Sequence, residues 1–360
     1  MTNMLRPSAA DATRWMWRLS VTLLAMLLAP LTRAQAAACP VSPASISDCG
    51  CTITKPGQTY KIGGPLQLAT GKSFCIKIAT SNVTLELNGQ TLTGNGSSEA
   101  SVGIDVLPTT SLSAAVKNVA IMGGGTVTSF GIGIRSAAVA TSIGITPVAI
   151  MGNGTGVVLN GANPFLAGVT ASSNADSGIK LNPGASGGAL IEITAETQTN
   201  GAGIWLNGAN GVFMTEIVAD SNDTFGVWFD SASNNSLVGF DATNNTLAGV
   251  FLGCEDTGPD NTTCKSVKRA PSNGNNIFGD PTTSKVSTAD NSDGISGQKW
   301  GVAIGKGNVR NHVVEVQGNG NTTDALDENP NCATNIWAHD FFVKFKPNVD
   351  EFFCIGSVVL

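Results

Sequence analysis

Apolar and polar positions alternate in short runs along the chain, and these runs recur at a regular interval. A glycine followed by an apolar, any, apolar triplet begins at positions 103, 131, 156, 178, 203, 226, 249 and 301, with spacings of 22 to 28 residues until an interruption after 249. Strands this short cannot each bury a face alone, but they can when stacked coil upon coil. The period predicts one coil of a β-solenoid, because a propeller blade needs ~40 residues. A β-sandwich is the alternative, but it leaves the shared register of the triplets unexplained.

A second apolar run lies inside each repeat, as in MTEIVADSN at 214–222 and LVGFDATNN at 237–245. Aligning the two places Asn222 on Asn245, with Asn174 as a further candidate for the same position. Stacked amide side chains can hydrogen-bond along the axis of such an assembly. We therefore expect an asparagine ladder at this corner of the coil.

Strand alternation decides which residues of each triplet face outward. Ile204 and Leu206 are expected to point into the core, so Trp205 points out, and the same argument applies in neighbouring coils. The predicted outward column is Val158, Lys180, Trp205, Trp228 and Phe251. Three large rings ~4.8 Å apart would expose a patch of several hundred Å², about the largest that a monomer tolerates. A glycan chain, the segment after residue 253 or another protein is therefore expected to cover it.

Residues 1–36 have the layout of a secretory signal peptide: basic residues, then LSVTLLAMLLAPL, then small residues. The apolar run is shorter than the ~20 residues of a spanning helix, and no later segment approaches that length. We expect a secreted or periplasmic protein without a transmembrane segment after signal removal. A lipoprotein box ending at Cys39 is the alternative, although it lacks the usual Leu three residues before the cysteine.

All 8 cysteines follow this signal, and an even number in an exported chain predicts disulfides. Spacing favours the pairs Cys254–Cys264 and Cys332–Cys354. For the N-terminal four, three connectivities exist and the sequence does not choose among them: Cys39, Cys49, Cys51 and Cys75. A metal site at Cys49 and Cys51 is a further alternative.

NVTLELNGQTLTG at 82–94, the repeated NN-(S/T)-L and G-(I/V)-x-(L/F) elements, and the closing DENPNCATNIWAHDFF with Cys354 resemble exported right-handed parallel β-helix proteins. These include NosD-type and pectate-lyase-like relatives. The resemblance implies an all-β, single-stranded right-handed parallel β-helix of about nine or ten coils with disulfide-stapled caps. It does not fix the chemistry, since this architecture carries many activities.

The expected organisation follows from this fold. Residues 1–36 form the signal peptide and 37–80 the N-terminal cap and entry strands. The helix runs over 81–325 with a polar insertion at 254–298, and 326–360 cap the far end, where aromatic residues suit the task of covering the last coil.

The net charge and the positions of the basic residues restrict the class of ligand. Residues 1–36 carry four Arg and one Asp, so the remaining chain has a net charge of −9, which argues against nucleic-acid binding. Lys180 in the outward column and three basic residues of the insertion would form a local basic cluster suited to an acidic glycan: Lys265, Lys268 and Arg269. A solvated charge run on a loop is the alternative for those three.

Glycosidic bonds are usually broken by a pair of carboxylates. Glu192 and Glu216 align at one outward position of neighbouring coils, and Asp230 follows the Trp228 strand, so these three are the candidate catalytic groups. Ca²⁺ binding or plain solvation are the alternatives. Arg135 and Lys180 are the basic residues of the coil strands, with no convincing cluster of Asp beside them.

Further motifs add little. The set that polygalacturonase-like enzymes carry, Asn-Thr-Asp, Asp-Asp and Gly-His-Gly, is missing from the sequence. His312 and His339 are expected to be structural, and two His with few Met give weak support for copper.

The sequence therefore predicts an exported β-helix protein that engages a polysaccharide along its outward aromatic column. A lyase or hydrolase of an acidic glycan is the first guess if it is an enzyme. The alternative is a non-catalytic envelope or surface protein with structural or interaction roles.

Overall fold

The fold is seen in a computed structural model that describes residues 37–98, 100–108, 115–253, 270–279, 300–318, 321–342, 345–347 and 355–357. One compact unit comprises Ala38–Leu360. Within the described ranges, regular structure is almost all strand, apart from a short 3₁₀ helix at Pro330–Cys332.

The strands are short and recur through the whole unit, as the repeat predicts. In chain order they are β1 (Cys51–Ile53), β2 (Thr59–Lys61), β3 (Leu66–Gln67), β4 (Phe74–Ile78), β5 (Val83–Glu86), β6 (Thr91–Thr93), β7 (Val102–Val106), β8 (Lys117–Met122), β9 (Thr126–Thr128), β10 (Ile132–Ser136), β11 (Thr141–Thr146), β12 (Ala149–Met151), β13 (Thr155–Leu159), β14 (Phe165–Ala167), β15 (Thr170–Ser172), β16 (Ile179–Leu181), β17 (Ala189–Glu196), β18 (Ile204–Asn207), β19 (Phe213–Val218), β20 (Phe225–Asp230), β21 (Ser236–Asp241), β22 (Ala248–Leu252), β23 (Asn276–Phe278), β24 (Trp300–Ile304), β25 (His312–Val314), β26 (Gln317–Gly318), β27 (Thr323–Asp327), β28 (Ile336–Phe342), β29 (Phe345–Pro347) and β30 (Ile355–Ser357).

Two parallel sheets contain these strands. The first sheet has 12 strands in the order β1-β4-β7-β10-β13-β16-β18-β20-β22-β24-β27-β29, and the second sheet holds the other 18. Strands distant in sequence thus become neighbours in a regular progression, because each coil of the chain returns to lie beside the previous one. The protein is a parallel β-helix, as the sequence and its resemblance predicted.

The core lies between the sheets and contains the apolar residues of each triplet. Ile204 and Leu206 are completely buried in it, and so are the equivalent residues of the next two coils: Val227, Phe229, Val250 and Leu252. Alternation along the strand dictates this, since successive side chains point to opposite faces. The inward half of the triplet prediction is confirmed.

Buried amides line one corner of the coil in an unbroken series. The Nδ2 of Asn222 donates to Asn245 Oδ1 at 2.9 Å, and the backbone N–H of Gln198 donates to Asn222 Oδ1 at 3.2 Å. Asn174 continues the series by donating its backbone N–H to Gln198 Oε1 at 2.9 Å. These bonds satisfy polar groups that would otherwise be costly to bury. The predicted ladder is confirmed, with Gln198 as a member that the sequence argument missed.

A second amide ladder lies at another corner, where none was predicted. Its members donate Nδ2 to the next Oδ1 at 3.0 to 3.2 Å: Asn235, Asn275, Asn311 and Asn335. Asn275 falls inside the predicted insertion at 254–298, and β23 next to it pairs with β21 and β25. The chain therefore returns to the solenoid within that segment.

The repeat glycine is explained by close approach. A Cβ on Gly203 would lie 2.8 Å from the Nδ2 of Asn222 and 2.9 Å from the carbonyl oxygen of Gly226. A Cβ on Gly226 would meet Asn245 Nδ2 at 2.9 Å. Real Cβ atoms do not come so close, so the ladder amides and the next coil exclude any side chain at this position.

Strands of the first sheet also occur in the segments predicted as caps. β1 and β4 lie within 37–80, where entry strands were expected; they pair with each other, and β4 pairs with β7. β29 lies within 326–360 and pairs with β27, which spans the predicted boundary at residue 326. Parallel pairing therefore continues into both terminal segments.

Two disulfides staple the N-terminal coils. They join Cys39 to Cys51 and Cys49 to Cys75, which selects one of the three connectivities left open by the sequence. The metal alternative for Cys49 and Cys51 is thereby wrong. Cys332 is disulfide-bonded, whereas Cys254, Cys264 and Cys354 lie outside the described residues.

Candidate functional site

Parallel pairing aligns one outward-facing residue from each of the ten strands β4 to β27 of the first sheet. Register makes the members neighbours in the order Lys77, Asp105, Arg135, Val158, Lys180, Trp205, Trp228, Phe251, Ala303 and Leu326. We call this set the outward column. It contains the five residues predicted for it and extends them in both directions.

The extension toward the N-terminus depends on a correction of register. The sequence alignment began the second glycine-led repeat at Gly131, but Ile134 pairs with Ile104 and Val157, so the repeat glycine is Gly133. GIGIR contains two glycines that are each followed by Ile, and the pattern alone cannot separate them. The two-residue shift brings Arg135 into the outward column.

Arg135 forms the strongest polar contact of the column, with Asp105 of the preceding coil. Its Nε donates to Asp105 Oδ1 at 3.0 Å and its Nη2 to Oδ2 at 2.9 Å. The Asp105 side chain is only 7% exposed, whereas that of Arg135 is 39% exposed. The hydrogen bonds to this carboxylate raise the pKa of Arg135 further above its usual value. The sequence argument did not place Asp105 beside Arg135, and the register error is the reason. One Asp does not form the cluster of Asp for which that argument looked.

Lys180 and Trp205 form a second contact along the same column. The Lys180 ammonium lies 3.4 Å from the centroid of the Trp205 ring, which is half-buried. On the following coil, Trp228 stacks on Trp205 with ring centroids 4.5 Å apart and an interplanar angle of 9°. The Trp205 Nε1 donates to Asp230 Oδ2 at 3.2 Å. Three neighbours thus hold this indole in one orientation.

Beyond Trp205 the outward column becomes a second apolar core. Trp228 is 5% exposed and Phe251 only 2%, so both outward rings are covered within the described structure. The Trp228 Nε1 donates to the Gly253 carbonyl at 2.8 Å. Phe225 stacks on Phe251 with centroids 4.7 Å apart, and Trp300 belongs to the same cluster.

Phe225 and Trp300 belong to a parallel row three residues before the outward column, next to Trp228 and Ala303 respectively. Register connects them through Ala248. Strict alternation counted from Trp228 would assign Phe225, three residues earlier, to the opposite face. The alternation rule therefore gave no signal for finding this row, which belongs to the same apolar cluster as Trp228 and Phe251.

Two of the three predicted catalytic carboxylates lie at neighbouring positions, and the third is on the other sheet. Glu192 and Glu216 occupy equivalent positions in β17 and β19 of the second sheet, as aligned, and both are exposed with φ of 53° and 54°. Asp230 ends β20 of the first sheet and is completely buried. As placed, Asp230 has no surface for a substrate, and its contact with Trp205 is a positioning role. The catalytic assignment of the two glutamates stays a prediction.

Other predicted residues lie away from the outward column or outside the described structure. His312 is in β25 of the second sheet, and His339 follows in β28 at a left-handed bend with φ of 56°. Lys265, Lys268 and Arg269 lie outside the described residues, so the basic cluster of the insertion stays a prediction.

Two surveys cover the described part of the chain. No three His, Cys, Asp or Glu side chains there converge in an arrangement that could hold a metal ion, and Ca²⁺ binding remains an expectation from the sequence. None of the helices in these ranges has the length and hydropathy of a membrane-spanning segment.

Comparison with known proteins identifies the fold. No protein-family model and no curated protein sequence matches the chain. Among solved structures, it resembles the A-module of the mannuronan C-5 epimerase AlgE6 from Azotobacter vinelandii, with a TM-score of 0.55 and 13% identity over 83% of this chain and 85% of that one. The A-module of the epimerase AlgE4 from the same organism gives 0.53 and 12% over 87% and 90%. At such identity the likeness concerns the parallel β-helix alone.

Proposed function

We propose that this protein binds an acidic polysaccharide along the part of the outward column that runs from Lys77 to Trp205. The observation that carries the proposal is the placement of cations at every second coil: Lys77, Arg135 and Lys180. At ~4.8 Å per coil they are about 9.6 Å apart, close to the length of a disaccharide. A glycan with regularly spaced carboxylates, lying parallel to the solenoid axis, can contact them in turn.

The charge of this strip contrasts with that of the chain. The whole chain has a net charge of −6, whereas the strip carries three cations against one carboxylate, Asp105, which is held beneath Arg135. Partly exposed cations on an otherwise acidic protein attract anionic ligands at low salt, and this attraction weakens as the salt concentration rises. The strip therefore favours an acidic glycan over a neutral one.

Trp205 ends the strip and gives it an apolar contact. Because Trp228 stacks on it and Asp230 fixes its Nε1, the half-buried ring is already ordered. Ordered side chains lose little entropy when a ligand binds, so they contribute more to affinity. The ammonium of Lys180 is likewise positioned over this ring for contact with a carboxylate.

The structural likenesses support the choice of ligand to test. The two epimerases are named for mannuronan, a polymer of uronate residues, and they share the parallel β-helix fold with this chain. The basic residues predicted after the interruption, Lys265, Lys268 and Arg269, would extend the same preference. A secreted or periplasmic location fits this ligand, and export through the segment 1–36 remains part of the proposal.

Cleavage of the glycan is a separate hypothesis. Glu192 and Glu216 lie on the second sheet, whereas the proposed strip is on the first, so a glycan bound to the strip is not presented to them by the described residues. The alternative role, a non-catalytic envelope or surface protein, is favoured by the burial of Trp228 and Phe251. We propose binding as the primary function, with a lyase or hydrolase activity as the hypothesis that the assay below tests.

The experiment incubates purified protein with polymannuronate, polygalacturonate and neutral glycans, with and without Ca²⁺. Binding is measured by affinity electrophoresis, and cleavage by the appearance of unsaturated or reducing ends. If the strip binds acidic glycans, uronate polymers in the gel should retard the protein and neutral polymers should not. Retardation without new ends would support the non-catalytic role, and no retardation by any uronate polymer would overturn the proposal.

A further inference from the structure

A groove of about 520 Å³ lies on the outer face of the second sheet, away from the outward column. It crosses β5, β8, β11 and β14, and half of its ten lining residues carry neutral polar side chains. None of the ten is ionisable. The groove is therefore a distinct surface from the cationic strip, with a different chemistry.

Small residues open the groove in the middle of a strand row. Register aligns Thr84, Ala120, Gly144 and Phe165 in successive coils. The small residues Ala120 and Gly144 leave space above the strands that form the floor of the groove. The Phe165 ring, which is 44% exposed, closes one end of it. A large exposed ring beside an empty floor offers a stacking contact to a flat ligand.

A polar row runs along the side of this floor. Asn82, Asn118, Ser142 and Asn163 line the groove, one from each of four successive coils, and all have positive φ between 54° and 58°. The Nδ2 of Asn118 donates to Asn82 Oδ1 at 2.9 Å, which aligns the two amides. Amides and a hydroxyl both donate and accept hydrogen bonds, as do the hydroxyl groups of sugars.

We propose that this groove binds an uncharged saccharide whose ring stacks on Phe165 and whose hydroxyls bond to the Asn82, Asn118 and Ser142 side chains. A few oriented polar groups around an apolar contact, in a volume within the usual range of about 300–1,000 Å³, describe a small-ligand site. An acidic glycan would lose solvation here without gaining a cation. The proposal does not depend on the function proposed for the strip, because its residues and the ligand charge both differ.

The test uses isothermal titration of the full chain with neutral hexasaccharides of glucose and mannose, in β-1,4 and β-1,3 linkage, and with galacturonate hexasaccharide as the acidic probe. Gly144→Val fills the floor, and a Cβ there meets only the Val119 carbonyl oxygen, at 3.8 Å, so the strand can accept it. Phe165→Ala removes the stacking ring. Phe213→Ala is the matched control, since Phe213 is also 44% exposed but lies two coils further along the same row, outside the groove.

We expect saturable binding of at least one neutral probe, weakened tenfold or more by Gly144→Val and by Phe165→Ala and unchanged by Phe213→Ala. The thermal midpoint should be preserved in all three variants. Failure of every neutral probe to bind, or binding that Gly144→Val leaves intact, would overturn the proposal. If wild-type protein self-associates and Gly144→Val abolishes that instead, the groove is an interface between copies and the saccharide proposal is wrong. Binding of galacturonate at the strip is unaffected by any of these outcomes.

Discussion

The two halves of the outward column belong to one ladder of backbone hydrogen bonds, but their side chains differ in charge and in exposure to solvent. From Lys77 to Lys180 four of the five members are charged and the three cations are partly exposed, with Arg135 paired to the buried Asp105. From Trp228 to Leu326 the column is apolar and almost inaccessible. Trp205 lies at the boundary, with Lys180 on one side and Trp228 on the other.

The difference shows that coil geometry specifies where a side chain lies but not what covers it. An outward position becomes core when neighbouring rows also carry large apolar groups, as Phe225 and Trp300 do around Trp228 and Phe251. Where those rows carry small or polar residues, the same position stays available to a ligand. One face of the described solenoid thus carries a proposed binding half, from Lys77 to Trp205, and a stabilising half, from Trp228 to Leu326.

The largest effect is expected from Trp228→Ala in the stabilising half. Removal of a buried indole leaves a cavity and should lower the free energy of unfolding by about 3–5 kcal/mol. Trp205→Ala is the control, because Trp205 is half-buried and should cost clearly less. Urea unfolding of both variants measures the difference. Equal losses would mean that the boundary at Trp205 does not exist.

The second prediction compares buried carboxylates with and without a cation. Asp105 has Arg135, whereas Asp340 is fully buried with Oδ2 unbonded, and burial raises the pKa of Asp340 to about 7. The folded protein keeps this proton up to about pH 7, while the unfolded chain releases it near its ordinary value of 3.8. Stability should therefore fall as pH rises from about 4 to 7 and then level off, by at most about 4 kcal/mol at 1.36 kcal/mol per unit.

Asp340→Asn should remove that part of the pH dependence, since an amide cannot titrate. Urea unfolding at pH 5 and pH 8 should show that the stability difference between variant and wild type shifts in the variant's favour as the pH rises. Asp241→Asn, at an exposed carboxylate, serves as the control. A wild-type slope that survives in Asp340→Asn would contradict the assignment.

The third prediction concerns the ion pair of the binding half. Arg135→Ala leaves the Asp105 carboxylate buried without its partner and should cost about 1–3 kcal/mol, less than a fully buried pair because Arg135 is 39% exposed. The double variant Arg135→Ala with Asp105→Ala should recover part of the loss. A double-mutant cycle by urea unfolding checks this, and a double variant less stable than the single one would refute the role of the pair.

The smallest effect on stability is expected from Lys180→Met. The ammonium over the Trp205 ring contributes about 0.5–1 kcal/mol at an accessible site, and the methionine keeps most of the stem. Binding of uronate oligosaccharides should nevertheless weaken severalfold, as titration calorimetry can show. A loss of stability as large as that of Trp228→Ala would place Lys180 in the stabilising half instead.

The residues that point into the core were predictable from the sequence, because alternation along a strand fixes which side chains share a face. Glycine-led triplets identified Ile204, Leu206 and their equivalents, and aligned amides identified the Asn222–Asn245 contact. The outward residues were harder to predict, because GIGIR fits two registers equally well. Only the pairing of Ile134 with Ile104 distinguishes them. The burial of Trp228 depends on Phe225 and Trp300, whose proximity is a property of neighbouring rows rather than of any one strand.

The central claim is that Lys77, Arg135 and Lys180 bind a glycan whose carboxylates are regularly spaced. The direct test measures the affinity of uronate oligosaccharides of increasing length for wild-type protein and for the double variant Lys77→Gln with Lys180→Gln. The control is the double variant Lys72→Gln with Lys306→Gln, which removes the same charge at exposed positions outside the column. We predict that wild-type affinity rises with each added disaccharide until the strip is filled and that only the first double variant loses this dependence. Equal affinity at all lengths, or equal loss in both double variants, would contradict the account.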